Sequence, residues 1–341
     1  MNGDWPGLRQ ALDECADLAT VCRARDLPGI EVFAPNEFYG GDRVIKLYAQ
    51  VPPDRPLKLV VPHGIVFNDS YVWQAEAQSS LPAVFAYSEA RARAYSRRTR
   101  KVVFCSAVPF AYATRLIGTP PEQRRGTLVF PGHSTHHVTV EADFERMAEA
   151  LLQLEARFQP VTVCIYWRDY ELGRHRAFAE RGLAVVSAGH IYDPAFLIRL
   201  AHLLSAHRYA ASNEVGSSLC YSVIAGCSFF VLPDIAATRS GPADALRRDL
   251  SQPDAAHAGI GAAFAQASAE LTPQQQRIVA GLAGLEHVLD VQQMRDCLHA
   301  AERLDGLGVA GNPQTGGISF AVPMGFARAA LRLLARKGGG R

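Results

Sequence analysis

The chain has 341 residues, 48% hydrophobic and 20% charged, with a formal net charge of +2. That is enough apolar sequence for a large core and enough length for two domains. The near-neutral balance offers no general field for polyanions and sets nucleic acid aside as a partner. Seven cysteines (Cys15, Cys22, Cys105, Cys164, Cys220, Cys227, Cys297) are scattered, mostly inside apolar runs. They show neither zinc-ligand spacing nor a disulfide framework and read as reduced thiols of a cytosolic protein. There is no basic-then-apolar leader and no run of about 18 apolar residues, so a soluble, cytoplasmic chain is expected.

In chain order, Leu8 to Arg25 has a helical pattern and Glu31 to Ala34 is strand-like up to Pro35. Asp42 to Gln50 reads as a helix opened by Gly40-Gly41. Leu57 to Val61 is a buried strand ending at Pro62-His63-Gly64. Ala83 to Tyr87 is the next, followed by a helix whose Arg91, Arg93, Arg97 and Arg98 read as a solvated face. Val102 to Cys105 is the third strand. Gly118 to Gly126 (GTPPEQRRG) has the chemistry of a linker. Alternation then resumes with strand Thr127 to Phe130, the loop PGHSTHH and helix Glu141 to Phe158. Strand Val161 to Tyr166 precedes helix Glu171 to Arg181, and strand Ala184 to Ser187 precedes helix Pro194 to Ala206. The last unit is YAASNEVGSSLCYSVIAGCSFFVLP, from Tyr209 to Pro233: strand, polar turn, helix Leu219 to Ala225, strand Phe229 to Leu232.

Strands alternating with helices predict parallel, doubly wound sheets. The expected architecture is α/β, with two Rossmann-like domains facing each other across a cleft. The boundaries are 1–120, 121–255 and a helical region 256–341. The final basic amphipathic helix, Gly325 to Lys337, is expected to pack back on the first domain, with an anionic membrane surface as the alternative.

Ligands of open α/β sheets bind beyond the carboxyl ends of the strands. There the turn Gly216-Ser217-Ser218 opens a helix, and free N–H groups, the helix dipole and two hydroxyls make it a phosphate site. The alternative is that one serine simply caps the helix. His63 is a general base, a phosphate contact or a partner for nearby carbonyls. His133, His136 and His137 lack a neighbouring Asp, Glu or Cys at ligand spacing, so His133 and Ser134 read as donors to phosphate or sugar and no metal is expected. Arg168 and Asp169 hold a ligand or pair with each other. His190 follows Gly189, where backbone approaches a ligand closely. Gly189-His190 and Ser217-Ser218 belong to successive strand ends and are expected to be neighbours.

In that order, His190 then Ser217-Ser218, the second half resembles the donor domain of GT-B glycosyltransferases. It is similar to the His-Pro and Ser-Ser motifs with which bacterial sialyltransferases and Kdo transferases bind CMP. Here Ile191 follows His190, and the nearest proline is Pro194. Pro35 to Ala49 leading into Val60 to Gly64 resembles proteins of capsule and O-antigen gene clusters. The likeness spans roughly Glu31 to Asp234.

The resemblance implies glycosyl transfer from a nucleotide-activated sugar, CMP-sugar favoured, to a cell-surface glycan or lipid-linked glycan, without metal or cofactor. It implies action in the cytoplasm, with peripheral contact at the inner membrane face through the basic C-terminal helix. Gly216, Ser217, Ser218 and His190 would hold the phosphate, with His133, Ser134 and Arg168 in the same donor site. Glu214 would bind a ribose or sugar hydroxyl. Asp69, His63 and Glu37 are the candidate bases in that order, with Asp42 behind them. A nucleotide-sugar 2-epimerase is one alternative. Another is a non-catalytic component of a polysaccharide synthase complex, since the Gly-rich loop that opens many GT-B first domains is missing.

Overall fold

Uncharged runs of Val, Leu, Ala and Phe suit strands covered by helices on both faces, the pattern of parallel sheets. The computed structural model describes residues 8–232, 235, 237–242, 259–309 and 321–322, and these runs form two parallel sheets in it. The first contains β1 (Leu59–Val60), β2 (Ala83–Ala86) and β3 (Val102–Cys105), with β11 (Ala321–Val322) beside β3. Val84 of β2 pairs with Val60 on one side and Val103 on the other. The second sheet has the order β7 (Ala184–Val186), β6 (Val161–Cys164), β4 (Thr127–Phe130), β8 (Tyr209–Ser212), β9 (Ser228–Val231). The chain leaves β4 toward β6 and β7, then returns to its other side as β8 and β9. The rim beyond β4 is therefore the topological switch point. The fold is α/β of the Rossmann-like kind.

Leu59, Phe85 and Phe104 of the first sheet share one buried cluster with Leu128, Ala210 and Phe229 of the second. Helix α6 (Pro109–Ile117) packs on both α3 (Gly41–Ala49) and α10 (Phe196–Ala206). Later helices touch both halves: α13 (Pro273–Ala283) packs on α11 (Ser217–Ile224), and α14 (Val291–Gly306) on α3. Thr272 and Asp290 begin these two helices with reciprocal side-chain and backbone caps. No helix among the described residues is long and apolar enough to cross a membrane.

Several expected elements differ. The first helix breaks into α1 (Leu8–Asp13) and α2 (Leu18–Val21), because Asp17 restarts it by accepting the Thr20 N–H. Glu31 to Ala34 makes no strand. The N–H groups of Gly29, Ile30 and Glu31 converge instead on the Glu37 carboxylate, at 3.1, 2.6 and 3.0 Å, and Ala34–Gly40 follows as a 3-10 turn. Residues 139–142 form β5, where a helix was expected to begin at Glu141; α7 starts at Phe144 behind its Asp143 cap. The helix expected over Glu171–Arg181 is two short ones, α8 (Trp167–Glu171) and α9 (His175–Ala179), separated at Gly173 with φ +75°. The region beyond Ala236 adds strands as well as helices: β10 (Ala237–Ser240) pairs antiparallel with β5, and β11 joins the first sheet. The basic helix expected at Gly325–Lys337 lies outside the described residues.

The turn at Ala34–Gly40 ties the halves together. Tyr39 N–H donates to the Ile191 carbonyl at 2.6 Å. Gly40 has φ +69°, and a Cβ there would lie 2.2 Å from the Pro194 carbonyl oxygen. Gly40→Ala is expected to cost about 3 kcal/mol or more in urea denaturation, from strain and overlap together. Gly182, which ends α9 in a left-handed turn at φ +77° with nothing within 4 Å of its would-be Cβ, should cost about 1 kcal/mol as alanine. Equal losses in the two variants would contradict the close approach.

Candidate active site

The strand ends of both sheets open onto one cavity of about 700 Å³. The loop after β1 contributes Pro62 to Phe67, the loop after β4 contributes Pro131 to His133, and β6 leads into Tyr166. The turn after β8 contributes Glu214 to Ser218. Phe38, Tyr39, Trp73, Tyr192 and Tyr221 give the walls an aromatic character. A volume of this size with a few polar groups on apolar walls suits a small organic ligand.

Helix α11 begins at this cavity with Gly216 as its N-cap and no side-chain cap. Neither serine caps it. Ser217 Oγ accepts the Ile65 N–H at 3.0 Å, joining the turn to the loop of the first sheet. Ser222 Oγ donates back to the Ser218 carbonyl at 2.6 Å. The uncapped amides of the first turn and the helix dipole therefore border the cavity together.

His63 lines the same space. Its ring meets Phe38 edge-on at 5.2 Å and Trp73 at 5.5 Å. Nδ1 is buried without a hydrogen-bond partner in the protein. Burial lowers its pKa from 6.5 to about 4, so the imidazole is neutral near pH 7. His133 also lines the cavity, its ring 4.5 Å from Tyr166. His136 stacks on Tyr192 at 5.8 Å, and desolvation, reinforced by His137, lowers its pKa. Among the described residues no three His, Cys, Asp or Glu side chains are grouped to hold a metal.

Glu214 accepts a hydrogen bond from Arg239 Nη2 at 2.5 Å. A Cβ on Gly132 would lie 2.7 Å from that carboxylate, so a side chain there would make Glu214 shift. Arg239 lines the cavity from β10. It was not among the residues singled out from sequence; only its place on the ribbon of β5 and β10 brings it here.

Other candidates sit off the cavity. Glu37 is enclosed by the three backbone N–H groups described above, which leaves its carboxylate no role as a base. Asp69 follows Phe67 in the same loop but is not in the lining. Asp42 is buried against Lys46 at 2.9 Å. Ser134 is buried; its Oγ accepts from Arg174 at 2.6 Å and from Val140 N–H at 3.0 Å, while its own N–H donates to Asp169. Asp169 pairs with Arg174 at 2.5 Å rather than with Arg168, whose partner is Glu171 at 2.8 Å. His190 is packed 4.2 Å from Trp167; its N–H donates to Val21 O and its Nδ1 accepts the Tyr192 N–H. The expected meeting of His190 with Ser217 and Ser218 is therefore not made at the cavity wall.

His190, like His63, has its pKa lowered to about 4, chiefly by desolvation and then by His136. Unfolding returns both to about 6.5. Between those values only the unfolded chain takes up these protons, so stability is intact above pH 6.5 and falls as pH drops toward 4. Each histidine withdraws at most about 3 kcal/mol. Urea unfolding at pH 7 and pH 5 should show this loss, and His190→Gln should remove part of it. An equal pH slope in the variant would contradict the assignment.

No protein-family model matches the chain, and no curated protein shows significant sequence similarity to it. Fold and site alone define the class: an α/β protein with two parallel sheets and a cavity at the carboxyl ends of their strands.

Proposed function

We propose that the chain is a GT-B type glycosyltransferase, its two sheets belonging to domains that face each other across the cavity. The donor is a nucleotide-activated sugar, CMP-sugar favoured, and the acceptor is a surface or lipid-linked glycan reached at the cytoplasmic side of the membrane. The observation that carries the reading is the meeting of an uncapped helix start, a guanidinium and an unpartnered neutral imidazole at one cavity.

The departing nucleotide phosphate lies against the first-turn amides of α11 and is charge-matched by Arg239, which exchanges Glu214 for it. Glu214, so released, accepts a ribose or sugar hydroxyl. The acceptor oxygen attacks the anomeric carbon as the bond from that carbon to the phosphate oxygen breaks. The bonding electrons leave with the nucleotide, and the acceptor proton passes to Nδ1 of His63. Ser217 acts through the loop: its bond to Ile65 N–H fixes His63 relative to the helix start. His133 borders the donor. His190, Ser134 and Arg168 support the rim from behind and do not contact substrate.

A thermal-shift panel of CMP, UDP, GDP, ADP and dTDP tests the donor site. One of the five should raise the melting temperature in a concentration-dependent way, as binding to the native state requires. No shift with any of them would count against the reading.

A further inference from the structure

The first-sheet wall of the cavity carries a buried cation that the transfer chemistry above does not use. Arg91, on α5 (Glu89–Arg98), lines the cavity and is 7% exposed. Its Nη1 donates to the Tyr71 carbonyl, and its Nη2 donates to Tyr95 Oη at 3.2 Å. Tyr95 Oη in turn donates to Glu76, so the nearest acid is reached only through a phenol. Among the described residues no carboxylate lies within ion-pair distance of Arg91. Both hydrogen bonds of this buried guanidinium go to neutral oxygens, and Glu76, whose charge it feels across Tyr95, makes no direct pair with it, so an anion entering from the cavity can become its first direct ionic partner. Tyr71 and Tyr95 fix the plane of the fork in advance, which favours a planar, two-oxygen partner.

Trp73 belongs to the same wall, 5.5 Å from the His63 ring. An indole offers a flat apolar surface to the C–H face of a pyranose, a ligand apolar on one side and polar at its edge. Glu76 would repel an anion if it were fully ionised. Burial raises its pKa while the Tyr95 hydroxyl and Arg91 lower it, and the hydrogen bond it accepts from Tyr95 Oη places that phenol between its carboxylate and the Arg91 fork.

We propose that Arg91 and Trp73 form a subsite for an acidic sugar, the pyranose face resting on Trp73 and the carboxylate held by the Arg91 guanidinium. The acceptor is thereby a carboxylate-bearing glycan end, presented to His63 beside it. That the ligand is a sugar rests on the glycosyltransferase reading; the anion site itself does not.

Saturation-transfer NMR on the full chain, with no nucleotide present, tests this with glucuronic acid, N-acetylneuraminic acid and neutral glucose as probes. At least one acidic sugar should bind about tenfold or more tightly than glucose. Arg91→Gln should abolish that preference, and Trp73→Ala should weaken both kinds of sugar. Nucleotide affinity measured in parallel should stay unchanged in both variants. Equal binding of acidic and neutral sugars by the wild type would overturn the proposal without any variant having to fold. So would displacement of the acidic sugar by equimolar inorganic phosphate, which would make this a phosphate site. Failure of every nucleotide to bind, with the acidic preference intact, would sink the transferase reading and leave the subsite standing.

Discussion

His63→Gln should reduce turnover by about a hundredfold to ten-thousandfold, the range for loss of a positioned proton acceptor, while nucleotide affinity changes little. Among the described residues, His63 Nδ1 is the only buried, unpartnered side-chain nitrogen on the cavity wall. The rival bases are occupied or displaced: Glu37 by backbone N–H groups, Asp42 by Lys46, and Asp69 by its position off the lining. Burial holds the imidazole near pKa 4. A bound phosphate anion stabilises the imidazolium and raises that value. The acid limb of the rate profile should therefore lie above pH 4, and rate should be lost as pH falls through it. A kcat in His63→Gln within a few-fold of wild type would remove the residue as the base.

Arg239→Ala should weaken binding of the preferred nucleotide by about tenfold to a hundredfold, the loss of one charge-assisted contact to phosphate. Some stability should be lost as well, about 1–3 kcal/mol, since Arg239 and Glu214 are each only about 20% exposed and the variant leaves the carboxylate without its partner. Glu214, left without its partner, still sits near the positive end of α11. Arg239→Lys keeps the charge but not the fork and should fall between wild type and alanine. Isothermal titration at two salt concentrations would check the point. Unchanged affinity in the alanine variant would remove the arginine from the donor site.

The strands were legible wherever an unbroken apolar run stood between turn residues. Val102–Cys105 and Thr127–Phe130 match to the residue because Val103, Phe104, Leu128 and Val129 at their centres are buried whichever face they point to. The ribbon of β5 and β10 was not legible. Its pairing partners, such as Val140 and Arg239, are distant in sequence and alternate in exposure on a rim. The apolar look of Glu31–Ala34 misled because the N–H groups of Gly29, Ile30 and Glu31 leading into it serve the Glu37 carboxylate instead of a ladder.

In the site, strand ends were the right place to search but could not be ranked without strand order. His63 and Ser217 follow β1 and β8, whose loops meet through the Ser217–Ile65 bond. His190 follows β7 at the edge of its sheet, where Trp167 and Tyr192 cover it. Arg91 was read as one charge of a solvated helix face. Arg93, Arg97 and Arg98 do lie exposed, while Arg91 turns into the wall. Four arginines on one short helix do not reveal which one the neighbouring loop will enclose.

The most direct measurement is the fate of the donor. A panel of nucleotide sugars, CMP-sugars first, is incubated with the protein and an acidic-sugar acceptor, and the products are followed by mass spectrometry. The account predicts free nucleotide in step with a glycosylated acceptor, both lost in His63→Gln. Donor recovered as an isomer still joined to its nucleotide, or bound but never consumed, would contradict it.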